Sequence, residues 1–459
     1  MSMFLASMIL SPVAHAGSFN MHNILSDYEL EDYASLSQNG IQRFLEQKNS
    51  FLAHFTEVVN GVRKSASEII YSEAQLYRVS PKIILAMLQK EQSLITDQSP
   101  SQNQLDWAMG FGVCDSCSKN DPALAPLKGF YNQVSSFAEK IRVNYLRDLN
   151  ARGFTYTGWG PYRTKTTLDG FEVTPVNNAT AILYTYNPWR GSEVGIGANY
   201  NFWKIWNRYF IRSYPDGTLL QVVGEPGVWL LQKGKRRAFM SRASLVSRYD
   251  VSKIIHVSQN ELDKYENGTP IKFTNYSLLR APWGTIYLLV DDTVRGIASR
   301  EVFRTIGFNP EEVISVSADD IRLYTEGAPI TINDTYPTGA LLQNNTSGAV
   351  YFVQNGIRHG ITDRTIMDIN FPRQKPIPIH PDELAQYPDG TRETLADGTI
   401  VTAAGNPAVY VIAGGKRRPV VSGDAFEELG YRWSDVRVVP QHVVDLHAPA
   451  EPLDVIALD

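Results

Sequence analysis

Ser80-Pro81-Lys82-Ile83-Ile84-Leu85-Ala86-Met87-Leu88-Gln89-Lys90-Glu91-Gln92-Ser93-Leu94-Ile95 is the stretch on which the fold turns. Ser followed by Pro is a helix start: Ser suits the N-cap, and Pro suits the first helical position, where no amide hydrogen is needed. At about 100° per residue, Ile84, Met87, Leu88, Leu94 and Ile95 share one arc, while Lys82, Gln89, Gln92 and Ser93 fall elsewhere. Glu91 lies in the middle of the apolar arc. Aliphatic surroundings disfavour the charged form of a carboxyl group. A carboxyl that keeps its proton near neutral pH is what protonates a leaving oxygen in glycoside cleavage. The competing reading is a structural Glu met by a buried partner or set at a domain seam.

Working outward, a helical, aromatic texture runs over residues 62–210, preceded by a polar, partly helical lead-in over 17–61. In that lead-in Ser37 is placed to cap a helix through Gln42-Arg43-Phe44-Leu45-Glu46. From Tyr214-Pro215-Asp216-Gly217 onward the pattern changes to short β-runs, Gly turns and short helices. Asp216-Gly217-Thr218-Leu219-Leu220, Tyr276-Ser277-Leu278-Leu279, Thr338-Gly339-Ala340-Leu341-Leu342 and Asp397-Gly398-Thr399-Ile400-Val401 open four similar segments. In each a second β-run and a two-residue connection follow: Lys233-Gly234, Asp291-Asp292, Asn355-Gly356 and Gly414-Gly415. The expected architecture is therefore multidomain. An all-α N-terminal domain precedes four mostly β, α+β repeats of about 60 residues, at 215–271, 275–330, 337–393 and 396–453. Beads on a string and a closed, propeller-like disc both fit that period.

The chain of 459 residues is too long for one core, and 43% hydrophobic with 20% charged residues marks a folded chain. A net charge of −5 weighs against nucleic acid as a partner. The apolar run Met3 to Leu10, followed by Ala14-His15-Ala16, reads as a signal peptide over 1–16 and implies an extracellular or cell-surface location. Left uncleaved, it would hold the N-terminus at a membrane. Nothing later approaches the ~18 apolar residues of a membrane span. Cys114 and Cys117 are the only cysteines, and in an exported chain they read as a local disulfide. A structural zinc needs about four ligands and no His lies near them, so no metal and no cofactor is expected. No G-x-x-x-x-G-K-[ST], H-E-x-x-H or G-x-S-x-G occurs.

Ala86-Met87-Leu88-Gln89-Lys90-Glu91-Gln92 resembles the helix of soluble lytic transglycosylases and goose-type lysozymes that ends on the catalytic Glu. Ala108-Met109-Gly110-Phe111-Gly112 is similar to the Gly-rich turn that follows it. Ala179-Thr180-Ala181-Ile182-Leu183-Tyr184-Thr185-Tyr186-Asn187 is similar to their late helix ending in Tyr-Asn. The three elements stand in the family order across 62–210. The resemblance implies a lysozyme-like domain that cleaves peptidoglycan glycan strands, with Glu91 as general acid and then base. It also implies a substrate groove touching Gln92, Met109, Gly110, Phe111, Tyr186 and Asn187. In transglycosylases the substrate's own hydroxyl closes a 1,6-anhydro ring, so one carboxyl suffices; Asp97 and Asp106 are the candidates for a second. Trp107, Trp159 and Trp189 are candidates for stacking on sugar faces.

Gln92 stands where those families carry Ser, which favours an alternative: a non-catalytic surface adhesin or wall-binding protein on a lysozyme-like scaffold. On either reading the expected partner is peptidoglycan or another surface glycan, with the repeats as the tether. Lys235-Arg236-Arg237 and Lys416-Arg417-Arg418 read as basic hairpin tips, either solvated or facing anionic wall polymers.

Overall fold

The computed structural model describes residues 19–112, 121–192 and 198–454. The expected signal peptide and the Cys114/Cys117 pair lie outside the described residues.

The N-terminal region is not all-α. Its helices are α1 (Asp27–Glu31), α2 (Gln38–Gln47), α3 (Ala66–Tyr77), α4 (Pro81–Gln92), α5 (Gln102–Asp106), α6 (Phe130–Glu139), α7 (Arg147–Arg152), α8 (Asn178–Tyr186) and α9 (Ala198–Phe210). Between them stand two antiparallel hairpins, β1 (Thr56–Val59) with β2 (Val62–Ser65), and β3 (Lys165–Thr166) with β4 (Glu172–Val173). The physical reason was present in the sequence: Val58-Val59-Asn60-Gly61-Val62 is a two-residue hairpin signal. This hairpin also serves a helix. Glu57 Oε2 accepts the Tyr131 amide at 2.7 Å, placing a carboxylate on the unsatisfied first turn of α6.

The lead-in is part of the core. Ile24, Leu25, Ile41, Phe44 and Leu45 are fully buried with the α3 and α4 side chains. Ser37 caps α2 through the Gly40 amide. Pro81 opens α4, but the Ser80 hydroxyl makes no cap; it meets the Ser35 hydroxyl at 3.1 Å. Helix α4 is covered on nearly every side, so Lys82, placed off the apolar arc by the helical wheel, is only 4% exposed.

Four sheets follow. The first contains β5 (Leu219–Val222), β6 (Val228–Gln232), β7 (Lys235–Ala238), β8 (Ile254–Val257) and β9 (Glu266–Asn267), in the order β8-β5-β6-β7-β9. The second contains β10 (Leu278–Arg280), β11 (Ile286–Val290), β12 (Thr293–Gly296), β13 (Val313–Ser315) and β14 (Thr325–Glu326), ordered β13-β10-β11-β12-β14. The third contains β15 (Ala340–Asn344), β16 (Val350–Gln354), β17 (Ile357–Ile361) and β18 (Ile377–Ile379); the fourth contains β19 (Ile400–Ala403), β20 (Val409–Ala413), β21 (Lys416–Pro419) and β22 (Arg437–Val439). In each sheet three strands form an antiparallel meander, and the fourth returns parallel beside the first after a helical crossover.

Equivalent side chains do similar work in at least three of the four units. Asp216, Asn275 and Asp397, just ahead of the first strand, accept from the amides of their own hairpin turns at 2.7–3.0 Å. On the third strand Arg237, Arg295 and Arg418 donate Nε to the carbonyls of Thr269, Ala328 and Glu451, and His359 Nδ1 meets that of Thr391. Arg236, Arg358 and Arg417 pair with Asp263, Asp389 and Asp445 at 2.5–2.6 Å. The arginines of the basic triplets are therefore engaged within their own units, while Lys235 and Lys416 stay exposed. The arginines fasten the returning segment along the edge of the third strand.

The units close into a ring. Arg237 makes a two-pronged ion pair with Asp292 of the second unit, at 2.6 and 2.8 Å. Gln354 of the third unit reaches Asp291 of the second at 3.5 Å. His442 of the fourth unit meets Asp363 of the third at 2.9 Å, and Ile366 shares a core with Val401 and Val444. The fourth unit then returns to the first. A Cβ on Gly217 would stand 2.3 Å from the Asp397 carbonyl carbon, and one on Gly398 would stand 2.6 Å from the Gly217 oxygen, so only glycines permit this approach. The first and fourth units also pack on the N-terminal region: Val257, Leu262, Phe426 and Leu429 belong to the same buried cluster as Phe44 and Phe210.

Candidate functional site

Helix α4 ends at Glu91 and Gln92, and Ser93 turns the chain away in the left-handed conformation. The Glu91 side chain is 22% exposed, and its Oε1 lies 2.6 Å from Lys90 Nζ, whose own side chain is 2% exposed. Glu91 is thus not alone among aliphatic groups. The buried lysine beside it is a partner that the helical wheel missed, because adjacent residues on a helix point roughly 100° apart.

The other oxygen of Glu91 faces the turn Trp107–Gly112. A Cβ on Gly110 would stand 3.4 Å from Glu91 Oε2, with Gly110 at φ +64°. Gln133 of α6, fully buried, fixes this turn. Its Oε1 accepts the Met109 and Phe111 amides at 3.2 and 2.9 Å, and its Nε2 donates to the Phe111 and Leu127 carbonyls at 3.0 and 2.8 Å. All four hydrogen-bonding positions of one amide are filled, so the turn is pre-set rather than adaptable. An isolated Gln amid Phe130, Val134 and Phe137 was the sequence signal for this anchor.

Tyr186, at the end of α8, donates its hydroxyl to the Met109 carbonyl. Burial, then the negative charge of Glu91, holds its phenol well above the ordinary tyrosine range, so it remains a donor. Lys90 Nζ sits 6.0 Å from the centre of the Tyr186 ring. Glu91, Lys90, Met109, Gly110 and Tyr186 therefore form one cluster. Asn187 ends α8; its side chain accepts the Trp189 amide at 3.1 Å and its carbonyl accepts Asn199 Nδ2 at 2.8 Å, a loop-holding role. The Gln92 carbonyl accepts Gln104 Nε2 at 3.1 Å. Phe111 packs against the core.

The two candidate second carboxylates are bound into the loop after α4. Asp97 accepts the Ser99 amide and Gln104 Nε2, both at 2.9 Å, and these bonds hold it below the usual carboxylate range. Asp106 accepts Gln102 Nε2 at 2.9 Å and pairs with Lys128 at 3.3 Å. Of the three tryptophans, Trp107 and Trp159 are core residues, 3% and 1% exposed, while Trp189 is 48% exposed. The aromatic pair that the sequence did not single out is Tyr145 with Tyr156, stacked at 6.0 Å. Tyr145 lies in the wide-turn helical stretch Lys140–Leu146 between α6 and α7, and such stretches recur at functional sites. Among the described residues, no three His, Cys, Asp or Glu side chains gather as metal ligands. No helix among them is long and apolar enough to cross a membrane.

Residues 24–152 match the family model described as LasA, N-terminal domain. The match runs from α1 through α7, under a third of the chain. It takes in Glu91 and the 107–112 turn and stops short of Tyr186. Comparison with curated protein sequences gives no match. Among solved structures, the chain is similar to one in an intact ESX-5 inner membrane complex, at 12% identity over 40% of this chain and 53% of that one, with a TM-score of 0.11. It thus spans about half the length of that protein. It is similar to the periplasmic assembly of the ESX-5 inner membrane complex at 11% identity over 53% and 94% of the two chains, TM-score 0.12. It is similar to the EccB3 dimer of the ESX-3 core complex at 12% over 52% and 98%, TM-score 0.13. At those scores the likeness carries no argument, and the architecture stands on its own contacts.

Proposed function

We propose that the N-terminal region binds and cleaves peptidoglycan glycan strands outside the cell, with Glu91 as the acid–base group. One observation carries the reading: Glu91 Oε2 faces a turn pre-set by Gln133 and Tyr186. The family match adds to it, since that family is peptidoglycan-related. In the proposed step Glu91 gives its proton to the glycosidic oxygen as the C1–O bond breaks. It then takes the proton of the same sugar's 6-hydroxyl as O6 bonds to C1, leaving a 1,6-anhydro end. With Asp97 and Asp106 committed to the loop, this single-carboxyl route fits better than one needing a second carboxylate. The four sheet units, of which the first and fourth pack against the N-terminal region, act as the tether to wall or surface polymers.

A second reading rests on Lys90. A lysine 2.6 Å from Glu91 offers a permanent partner to the carboxyl, as in a structural ion pair, and suits a non-catalytic wall-binding protein. Incubation of the full chain with peptidoglycan, followed by mass spectrometry of the soluble fraction, separates the two. Cleavage predicts 1,6-anhydro-muropeptides from the wild type and none from Glu91→Gln. Sedimentation with intact walls but no soluble product, or equal product from Glu91→Gln, sinks the enzymatic reading.

A further inference from the structure

Where the first, third and fourth sheet units meet, they line an open cavity of about 680 Å³, within the range of small-ligand sites. Cations and carboxylates both line it, but their commitments differ. Asp435 pairs with Arg432 at 2.8 Å and Asp368 with Arg364 at 3.5 Å. Asp250 accepts the Ser252 amide and Asp397 the Gly415 amide, at 2.9 and 3.0 Å. On the positive side, Lys253, Arg373 and Arg437 line the cavity with no ion pair among the described residues. Arg248, also in the lining and with its side chain 9% exposed, meets Asp291 only at 3.8 Å, and its Nε and Nη2 have no hydrogen-bond partner. Asp250 and Asp397 keep their charge, and Lys253 and Arg432 both act on Asp250, but five cations against four carboxylates leave the cavity lining slightly positive, in a chain whose net charge is −5. Ile254, Ile369, Ile400 and Pro372 supply apolar wall between these charges.

The geometry points to a binding site for a phosphate-bearing saccharide at the junction of the first, third and fourth units. Planar guanidinium groups match phosphate oxygens two at a time. The apolar wall suits the faces of sugar rings, and the volume holds more than one ring. This site is independent of Glu91. It also replaces the hairpin arginines, all engaged within the ring, as the place where the units would meet an anionic polymer. Because three units line the cavity, an occupant joins them, and binding stabilises the ring by linkage.

The test uses the full chain, titrated by calorimetry and thermal melting with glucose 6-phosphate, inorganic phosphate and glucose. Glucose 6-phosphate is expected to bind and raise the Tm, more weakly as salt is added, and glucose is not. Arg373→Gln/Arg437→Gln, both exposed and outside the Glu91 cluster, is expected to melt like the wild type without ligand and to bind about tenfold or more weakly. No binding of glucose 6-phosphate at millimolar concentration overturns the proposal, as does equal binding by the double variant. Inorganic phosphate binding as tightly as the sugar phosphate overturns the saccharide part.

Discussion

Lys82 gives the sharpest test of how the N-terminal region is joined to the ring. It sits beside a water-sized cavity of about 10 Å³, bordered by Glu29, Asp32, Arg212 and Glu261. Arg212 bonds Glu261 of the first unit and the Glu428 carbonyl of the fourth, both at 2.5 Å. Burial, then the Arg212 charge, pushes the Lys82 ammonium down from 10.5 to about 8, against the opposing pull of Glu261 and Asp32. At 1.36 kcal/mol per pKa unit, that depression makes a charged Lys82 cost about 3 kcal/mol below pH 8. The folded pKa lies below the unfolded one, so the cost is full at lower pH and fades as pH rises from 8 to 10.5. Lys82→Met keeps the length of the side chain and removes the charge, though Glu261 loses a favourable neighbour. We expect the variant to be about 1–2 kcal/mol more stable at pH 7, with that advantage reduced by about 1 kcal/mol at pH 9. Urea unfolding of both proteins at the two pH values, followed by circular dichroism, measures it. A variant less stable at pH 7, with a difference that does not move between pH 7 and 9, would refute the reasoning.

Gln133→Leu should leave the amides of Met109 and Phe111 unpaired, lower stability by about 2–4 kcal/mol and abolish release of anhydro-muropeptides; thermal melting and the product assay check the two effects. Gly217→Ala places a Cβ 2.3 Å from backbone of the fourth unit at φ +89°, and should cost about 2–4 kcal/mol and expose the ring to limited proteolysis. Arg295→Ala, which takes the guanidinium from the part-exposed Asp334 and frees the Ala328 carbonyl, should cost about 1–3 kcal/mol in chemical denaturation, whereas Arg300→Ala on an exposed position should be neutral. A fragment ending at residue 211 should bind hydrophobic dye, because it uncovers the N-terminal side of the cluster shared with Val257, Phe426 and Leu429.

What could be read in the sequence was local. The Ser37 cap, the start of α4 at Pro81 and the two-residue turns between β-runs follow from single residues and their neighbours. The Asn60-Gly61 hairpin is equally local, a two-residue signal that the all-α expectation leaves out. Lys82 escaped because a helical wheel assumes one wet face, whereas α4 is covered by elements arriving from far along the chain. Lys90 escaped because its contact with Glu91 depends on how two neighbouring long side chains bend back to each other. The arginines of the hairpins looked like surface charge, since their carbonyl acceptors lie over 30 residues downstream and carry no sequence signature. Ring closure depends on Gly217 and Gly398, residues that also serve ordinary turns, so nothing in their identity marked the approach.

The return of the fourth unit to the N-terminal region gives the chain a mechanical shortcut. Glu428 accepts the Ser37 amide at 3.0 Å across 391 residues of sequence, and Arg43 meets the same carboxylate at 3.4 Å. A pull applied to the fourth unit therefore loads α2 directly, without first passing through the second and third units. Those contacts lie side by side and would have to fail together before any sheet is peeled open. If the ring is held to a wall polymer while the N-terminal region works on its substrate, the region moves with its anchor as one piece, like a tool fixed to its handle rather than hung from a cord.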